Sequence, residues 1–251
     1  MSSVESYVAN VKNATRLLPT WQPDSPLKLG DICTFEDDGI LVHNNLLTGF
    51  SDVPAITELQ TRTSKPAAVK LDHYVSYSAA VEGALPGVFE AEVEFTHKEG
   101  FLLTVEDGEE ESFAAAGPLG SALIALANDG RWEYRWFLVE AVRKYGSMTL
   151  VLSGERGAKV AVSATAPGPA GIGSVKAGAS LQVRSGRVAH WTSNGPLTPF
   201  YKAMSVGWST HYQNPGPIII NSDAPMEPEE VEPSYLPLSE WEATAPWQDA
   251  S

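Results

Sequence analysis

Apolar residues recur along this chain in two rhythms, and the shorter one dominates. Val4, Tyr7, Val8, Val11, Ala14, Leu17 and Leu18 recur at steps of three and four, which predicts an amphipathic helix over residues 4–18 ended by Pro19. A second helix is expected over Ser112–Asn128, with Leu119, Leu123, Leu126 and Ala127 as its buried stripe and Asp129-Gly130 as its stop. Ser112 is its candidate cap, and Pro118 the alternative first residue. Elsewhere the period is two. His73, Val75, Tyr77, Ala79 and Val81 share one face of an expected strand, and Phe89, Ala91, Val93 and Phe95 share one face of the next. The opposite face of the latter carries Glu90, Glu92 and Glu94, which must be solvated or paired. Lys98-Glu99-Gly100 turns the chain into a strand over Phe101–Glu106, and the acidic run Glu106–Glu111 reads as a solvated loop.

The densest strand signal is Arg131–Thr165. Trp136–Val142 is apolar on both faces except for Glu140, as an interior strand is. A turn is expected at Tyr145-Gly146-Ser147, a strand at Met148–Ser153, a second turn at Gly154–Gly157 and a third strand at Lys159–Ala164. Tight turns between consecutive strands imply antiparallel pairing. Further strands are expected at Leu181–Arg184 and Val188–Thr192, with Leu197–Trp208 as the last core element. Trp21–Asp38 reads as extended chain, turn and short strand, and residues 44–70 as irregular. Strands grouped on either side of a helix define an α+β fold: a twisted antiparallel sheet with two or three helices packed on it.

Composition divides the chain. Residues 1–221 have the balance of a single α+β domain. After Lys202 no Lys or Arg follows, while eight acids and recurrent prolines fill the stretch from Asp223. Residues 222–251 therefore form an acidic, Pro-rich tail, disordered or docked as a strap. Tyr235, Leu236, Leu238, Trp241 and Trp247 are its candidate anchors. The net charge of −14 argues against nucleic-acid binding. With no basic-then-apolar leader and no apolar run of about 18 residues, a cytoplasmic protein is expected.

No motif names a reaction. The histidines, His43, His73, His97, His190 and His211, show no metal-ligand spacing, and no serine-hydrolase elbow is present. The single cysteine, Cys33, excludes an intrachain disulfide and reads as a small buried residue rather than a nucleophile. Gly171 and Gly173 lack the strand, lysine and helix of a phosphate loop. A non-enzyme without cofactor or metal is the expectation.

The order of helix, Gly-Arg-Trp link, WFLVEAV strand, two further strands, Gly-rich loop and PLTPFYKAMSV resembles the amino-terminal pore-forming domain of gasdermins, with Leu138–Val142 in the place of their valine-rich strand. Pro26–Ile32, Gly130–Trp132 and Thr198–Phe200 are similar to motifs in a group of bacterial proteins of like length. The likeness spans about residues 26–206. It implies a protein held soluble by its carboxy-terminal segment. Once an activating protease removes that segment, hairpins from residues 73–106 and 148–192 extend, self-associate and enter membrane lipid. The tail would be the inhibitory strap. Arg131, Arg135, Arg143 and Lys144, the only dense basic group, would be the membrane contact. Glu90, Glu92 and Glu94 would face a lumen, and Cys33 is internal where bacterial gasdermins carry an amino-terminal cysteine. The alternative is a non-catalytic binding or scaffold module that offers its acidic tail or a sheet face to a protein partner.

Overall fold

A computed structural model of the protein describes residues 3–20, 27–36, 39–78, 81–82, 89–164, 180–209, 216–221 and 248–249. The first helix, α1 (Ser3–Thr15), buries Val4, Tyr7 and Val11 as its spacing predicts. It stops at Arg16, whose φ of 60° is left-handed, and not at Pro19. Leu18–Pro19 instead forms β1. Next come β2 (Asp31–Glu36) and β3 (Gly39–Asn45), a hairpin that pairs Glu36 with Gly39.

Residues 44–70, expected to be irregular, hold α2 (Leu46–Gly49), α3 (Pro54–Thr57), β4 (Thr61–Ser64) and the start of β5 (Val69–His73). Each short helix is anchored by one or two apolar side chains, Leu46, Phe50 and Ile56. That is too few to make a period.

The strand expected over His73–Glu82 is broken. Tyr74 takes φ 54° between β5 and β6 (Val75–Tyr77), and β7 (Val81–Glu82) follows. Then come β8 (Phe89–Phe95) and β9 (Phe101–Phe113). The acidic run Glu106–Glu111 is therefore strand and not loop. The neighbouring strand supplies the cations that make this tolerable: Arg143 donates to Glu110 and Lys144 to Glu111. Ser112 lies in β9 and accepts from Arg62, so it is no helix cap. Helix α4 (Ala116–Asn128) starts after Ala115, buries Leu119, Leu123 and Leu126, and ends where Gly130 takes φ 69°.

The turn expected at Tyr145–Ser147 does not exist. One strand, β10 (Phe137–Ser153), runs through it for 17 residues. Register shifts at Val139/Ala141 and Arg143/Tyr145 bend β10 instead of reversing it. Gly108, opposite Tyr145, leaves space for that ring: a Cβ there would lie 2.6 Å from its Cε1. The remaining strands are β11 (Lys159–Ala164), β12 (Ser180–Ser185), β13 (Arg187–Ser193), β14 (Leu197–Ser209), β15 (Gly216–Asn221) and β16 (Gln248–Asp249). Leu197–Trp208 is thus not the last element, because β15 pairs with β14.

Among the described residues the fold is α+β, with every strand pairing antiparallel. An eleven-stranded sheet follows the order β1-β14-β10-β13-β16, with β9 also on β10, β4 and β5 on β9, β2 on β10, β3 on β2 and β15 on β14. A five-stranded sheet follows β12-β11-β8-β6, with β7 on β8. Contrary to the tight-turn expectation, β10 and β11 do not pair; they belong to different sheets. Helix α1 covers Phe101, Leu103, Leu150 and Leu152 on one face of the large sheet. Helix α4, with α2 and α3, covers Ile32, Leu138 and Met204.

Candidate functional site

Four strands of the large sheet continue, one for one and in the same lateral order, into the small sheet. Across the large sheet the order is β5-β9-β10-β13, and across the small one β6-β8-β11-β12. Each pair is consecutive in the chain: β5 with β6, β8 with β9, β10 with β11, and β12 with β13. The molecule therefore carries a four-stranded antiparallel sheet folded along one transverse seam. The seam crosses the chain at Tyr74, residues 96–100, residues 154–158 and Gly186.

Backbone hydrogen bonds join neighbouring strands along the fold line. Thr96 N–H donates to the Tyr74 carbonyl at 2.9 Å, Ser153 N–H to Gly100 at 2.9 Å, Gly154 N–H to Arg187 at 2.8 Å and Gly157 N–H to Phe95 at 2.7 Å. Gly157 and Gly186 have φ of 82° and 79°, which a residue with a Cβ adopts only at a cost. Inside the bend, Leu102, Val151 and Val188 of the large sheet pack on Val93, Phe95, Ala158, Val160 and Val162 of the small one. That cluster is what holds the sheet folded.

The two faces of the small sheet differ in character. The inner face carries Val75, Tyr77, Val93, Phe95, Val160, Val162, Leu181 and Val183. The outer face carries Ser76, Ser78, Glu92, Glu94, Lys159, Gln182 and Arg184, in registers that set Glu94 beside both Ser76 and Lys159. Lys159 Nζ lies 3.0 Å from Glu92 and 3.4 Å from Glu94. Its hydrogen bond to Glu92, with the two nearby charges, raises its pKa. The side chain of Glu90 lies outside the described residues. Lys159 escaped sequence reading because only register places it between the two glutamates.

The basic group does not converge. Arg131 makes a bidentate pair with Asp52 at 2.8 and 2.9 Å, and its guanidinium lies 5.1 Å from the Phe50 ring centroid. The Arg131 hydrogen bond holds the Asp52 carboxyl below its usual range. Arg135 is exposed in the link before β10. Arg143 and Lys144 are neighbours in β10 and point to opposite faces, each held by a β9 glutamate. A fifth cation missed by sequence reading, Lys202, lies 3.0 Å from Glu140, the one acid of the interior strand. The bulge at Val139/Ala141 takes Glu140 out of register with β14.

Of the acidic tail, Gln248–Asp249 lies among the described residues. It adds to the outer edge of β13 as β16, pairing Asp249 with Arg187 and Gln248 with Val188, at the seam itself. Tyr235, Leu236, Leu238, Trp241 and Trp247 lie outside the described residues, as does the 166–179 loop.

The candidates for chemistry sit apart. Cys33 is buried, and burial, with Asp31 nearby, pushes its thiol pKa up. His43 bonds Thr34 at 2.8 Å and stacks on Trp136. His97 lies 3.9 Å from Glu99, and burial lowers the pKa of His190. Among the described residues no group of three or more His, Cys, Asp or Glu could hold a metal ion, and no helix is long and apolar enough to cross a membrane. No family model and no curated protein matches the chain.

Proposed function

We propose that this protein forms membrane pores, with the folded four-stranded sheet as the part that becomes membrane-spanning. The observation that carries this reading is the one-for-one continuity of strands across the seam. A membrane β-strand needs about 9–11 residues. Alone, β8, β11 and β12 have seven, six and six. Joined through the seam to β9, β10 and β13, each reaches that length. Straightening the seam converts two short tiers into two long hairpins.

The faces suit the change. The inner apolar face, now spent on the bend's core, would meet lipid, and the outer face with Glu92, Glu94, Lys159 and Gln182 would meet water in a lumen. A lone four-stranded sheet leaves its edge groups unpaired, and hydrocarbon offers them no partner. Self-association into a closed barrel satisfies them. The tail strand β16 acts as a clip on the seam, and its removal by a protease releases the hairpins at a membrane.

The test is dye release from vesicles. Full-length protein leaks nothing, while a chain lacking residues 222–251 leaks. The Arg187→Cys/Asp249→Cys pair, which stand opposite one another in register, forms a disulfide; after cleavage upstream of β16 this lock keeps the protein silent until reduced. A truncated chain that is folded and silent on neutral and anionic vesicles alike refutes the pore and leaves the binding-module reading.

A further inference from the structure

A cavity of about 300 Å³ lies between the end of α1 and the start of α4, floored by β4, β9, β10 and β14. Its charged lining is Arg16, Arg62, Arg143 and Lys202 against Glu110 and Glu140. Four cations face two carboxylates, an excess of two positive charges on a chain whose net charge is −14. Both carboxylates are already engaged, Glu110 by Arg143 and Glu140 by Lys202. Arg16 and Arg62 are not: among the described residues neither has a carboxylate partner. Arg62 is nonetheless oriented, since its Nε donates to Ser112 Oγ at 3.0 Å. Both arginines are exposed where they line the cavity, so an anion entering it meets two cations that no carboxylate there neutralises.

The walls add to the same sign. Helix α4 opens beside the cavity, with Ala114 and Ala116 in the lining. Its cap, Ala115, supplies no side-chain acceptor, and its first turn holds no acid. The free N–H groups there contribute partial positive charge. Arg16 itself sits in the left-handed conformation that closes α1, where glycine or asparagine is usual. That costly placement brings its side chain to the cavity.

We propose that this cavity binds a phosphate monoester. The dianion matches the two surplus charges, and the guanidinium fork matches its oxygens. The cavity volume is at the lower end of small-molecule sites. This inference does not rest on the pore: the cavity is present in the folded protein, and its lining on β9 and β10, residues 110–113 and 140–143, lies at the ends of those strands far from the seam.

The experiment follows thermal unfolding of the full chain with inorganic phosphate and glycerol 3-phosphate, against sodium chloride at matched ionic strength. The expected result is a rise in Tm with either phosphate and none with chloride. Arg62→Gln and Arg16→Gly each weaken the apparent affinity at least tenfold. Arg16→Gly relieves the left-handed strain, so it folds and carries the test if Arg62→Gln does not. Co-sedimentation with phosphatidic acid vesicles separates the sources: capture that is lost in Arg16→Gly assigns a lipid headgroup, and capture absent while glycerol 3-phosphate still binds assigns a soluble ester. Equal Tm changes with phosphate and chloride, or an Arg16→Gly protein that responds like wild type, overturns the proposal.

Discussion

Replacing Gly186 with alanine tests the seam at the point where it is tightest. Gly186 has φ +79°, and a Cβ there would lie 2.9 Å from both Cα and Cβ of Ala158, and 2.7 Å from Glu155 Oε1. The glutamate can swing away, but the Ala158 backbone belongs to the bend and must shift. The left-handed conformation costs an alanine about 1–2 kcal/mol, and overpacking a tight contact about 1–3 kcal/mol. Alanine's smaller unfolded-state entropy returns about 0.4–1 kcal/mol. The net destabilisation is about 2–4 kcal/mol. Gly157 is the control. Its φ is +82°, yet no atom lies within 4 Å of its Cβ position, so only the conformational part remains, about 0.5–1 kcal/mol after the same correction. Thermal unfolding followed by tryptophan fluorescence reads both. At about 2–4 °C per kcal/mol for a domain of this size, Gly186→Ala loses several degrees more than Gly157→Ala. Two variants equal within about 0.5 kcal/mol, near the spread of such measurements, would refute the close approach across the seam.

Three further outcomes follow from buried polar groups. Lys202→Met removes the ammonium 3.0 Å from the buried Glu140 carboxylate and lowers stability by about 1–3 kcal/mol, whereas Lys202→Met/Glu140→Leu regains most of it in equilibrium unfolding. Tyr7 is buried and its hydroxyl has no hydrogen-bond partner among the described residues, so Tyr7→Phe is neutral or raises stability by about 1 kcal/mol; a loss of about 1 kcal/mol or more would mean the hydroxyl has a partner. Burial lowers the His190 pKa, so the unfolded chain takes up that proton first as pH falls. Stability that is fully present above the ordinary value of about 6.5 therefore declines below it, until the folded form protonates too. His190→Gln should flatten the wild-type slope between about pH 7 and 5, and an unchanged slope would assign it elsewhere.

How much of this was legible in the chain differs by element. The faces of α1 and α4 followed from their spacing, since a helix buried on one side must repeat near 3.6. The alternation of β8, β11 and β12 was legible for the same reason. The seam was legible only as separate breaks. Turns at Lys98–Gly100 and Gly154–Gly157 and a gap between the strands 181–184 and 188–192 were expected, but Tyr74 interrupts a strand that alternates correctly on both sides, and nothing in the sequence aligns the four breaks across the sheet. The Tyr145-Gly146-Ser147 turn failed because Gly108 and Gly146 serve close packing between β9 and β10 there, and composition alone cannot separate the two uses. The Glu106–Glu111 run was misread because its cations, Arg143 and Lys144, are supplied by register from a distant strand. The phosphate cavity was invisible for that reason too: Arg16, Arg62, Arg143 and Lys202 are spread along the chain and meet only in space.

The most direct test of the central claim is which face of the small sheet meets lipid. Single cysteines at positions 181, 182, 183 and 184, in a Cys33→Ala background, carry an environment-sensitive dye on the chain freed of residues 222–251. With vesicles bearing lipid-attached nitroxides, labels at 181 and 183 should be quenched and those at 182 and 184 should not, because Leu181 and Val183 face the bend's core while Gln182 and Arg184 face water. Quenching at none of the four positions, or equally at all, would contradict a sheet that unfolds into a membrane barrel.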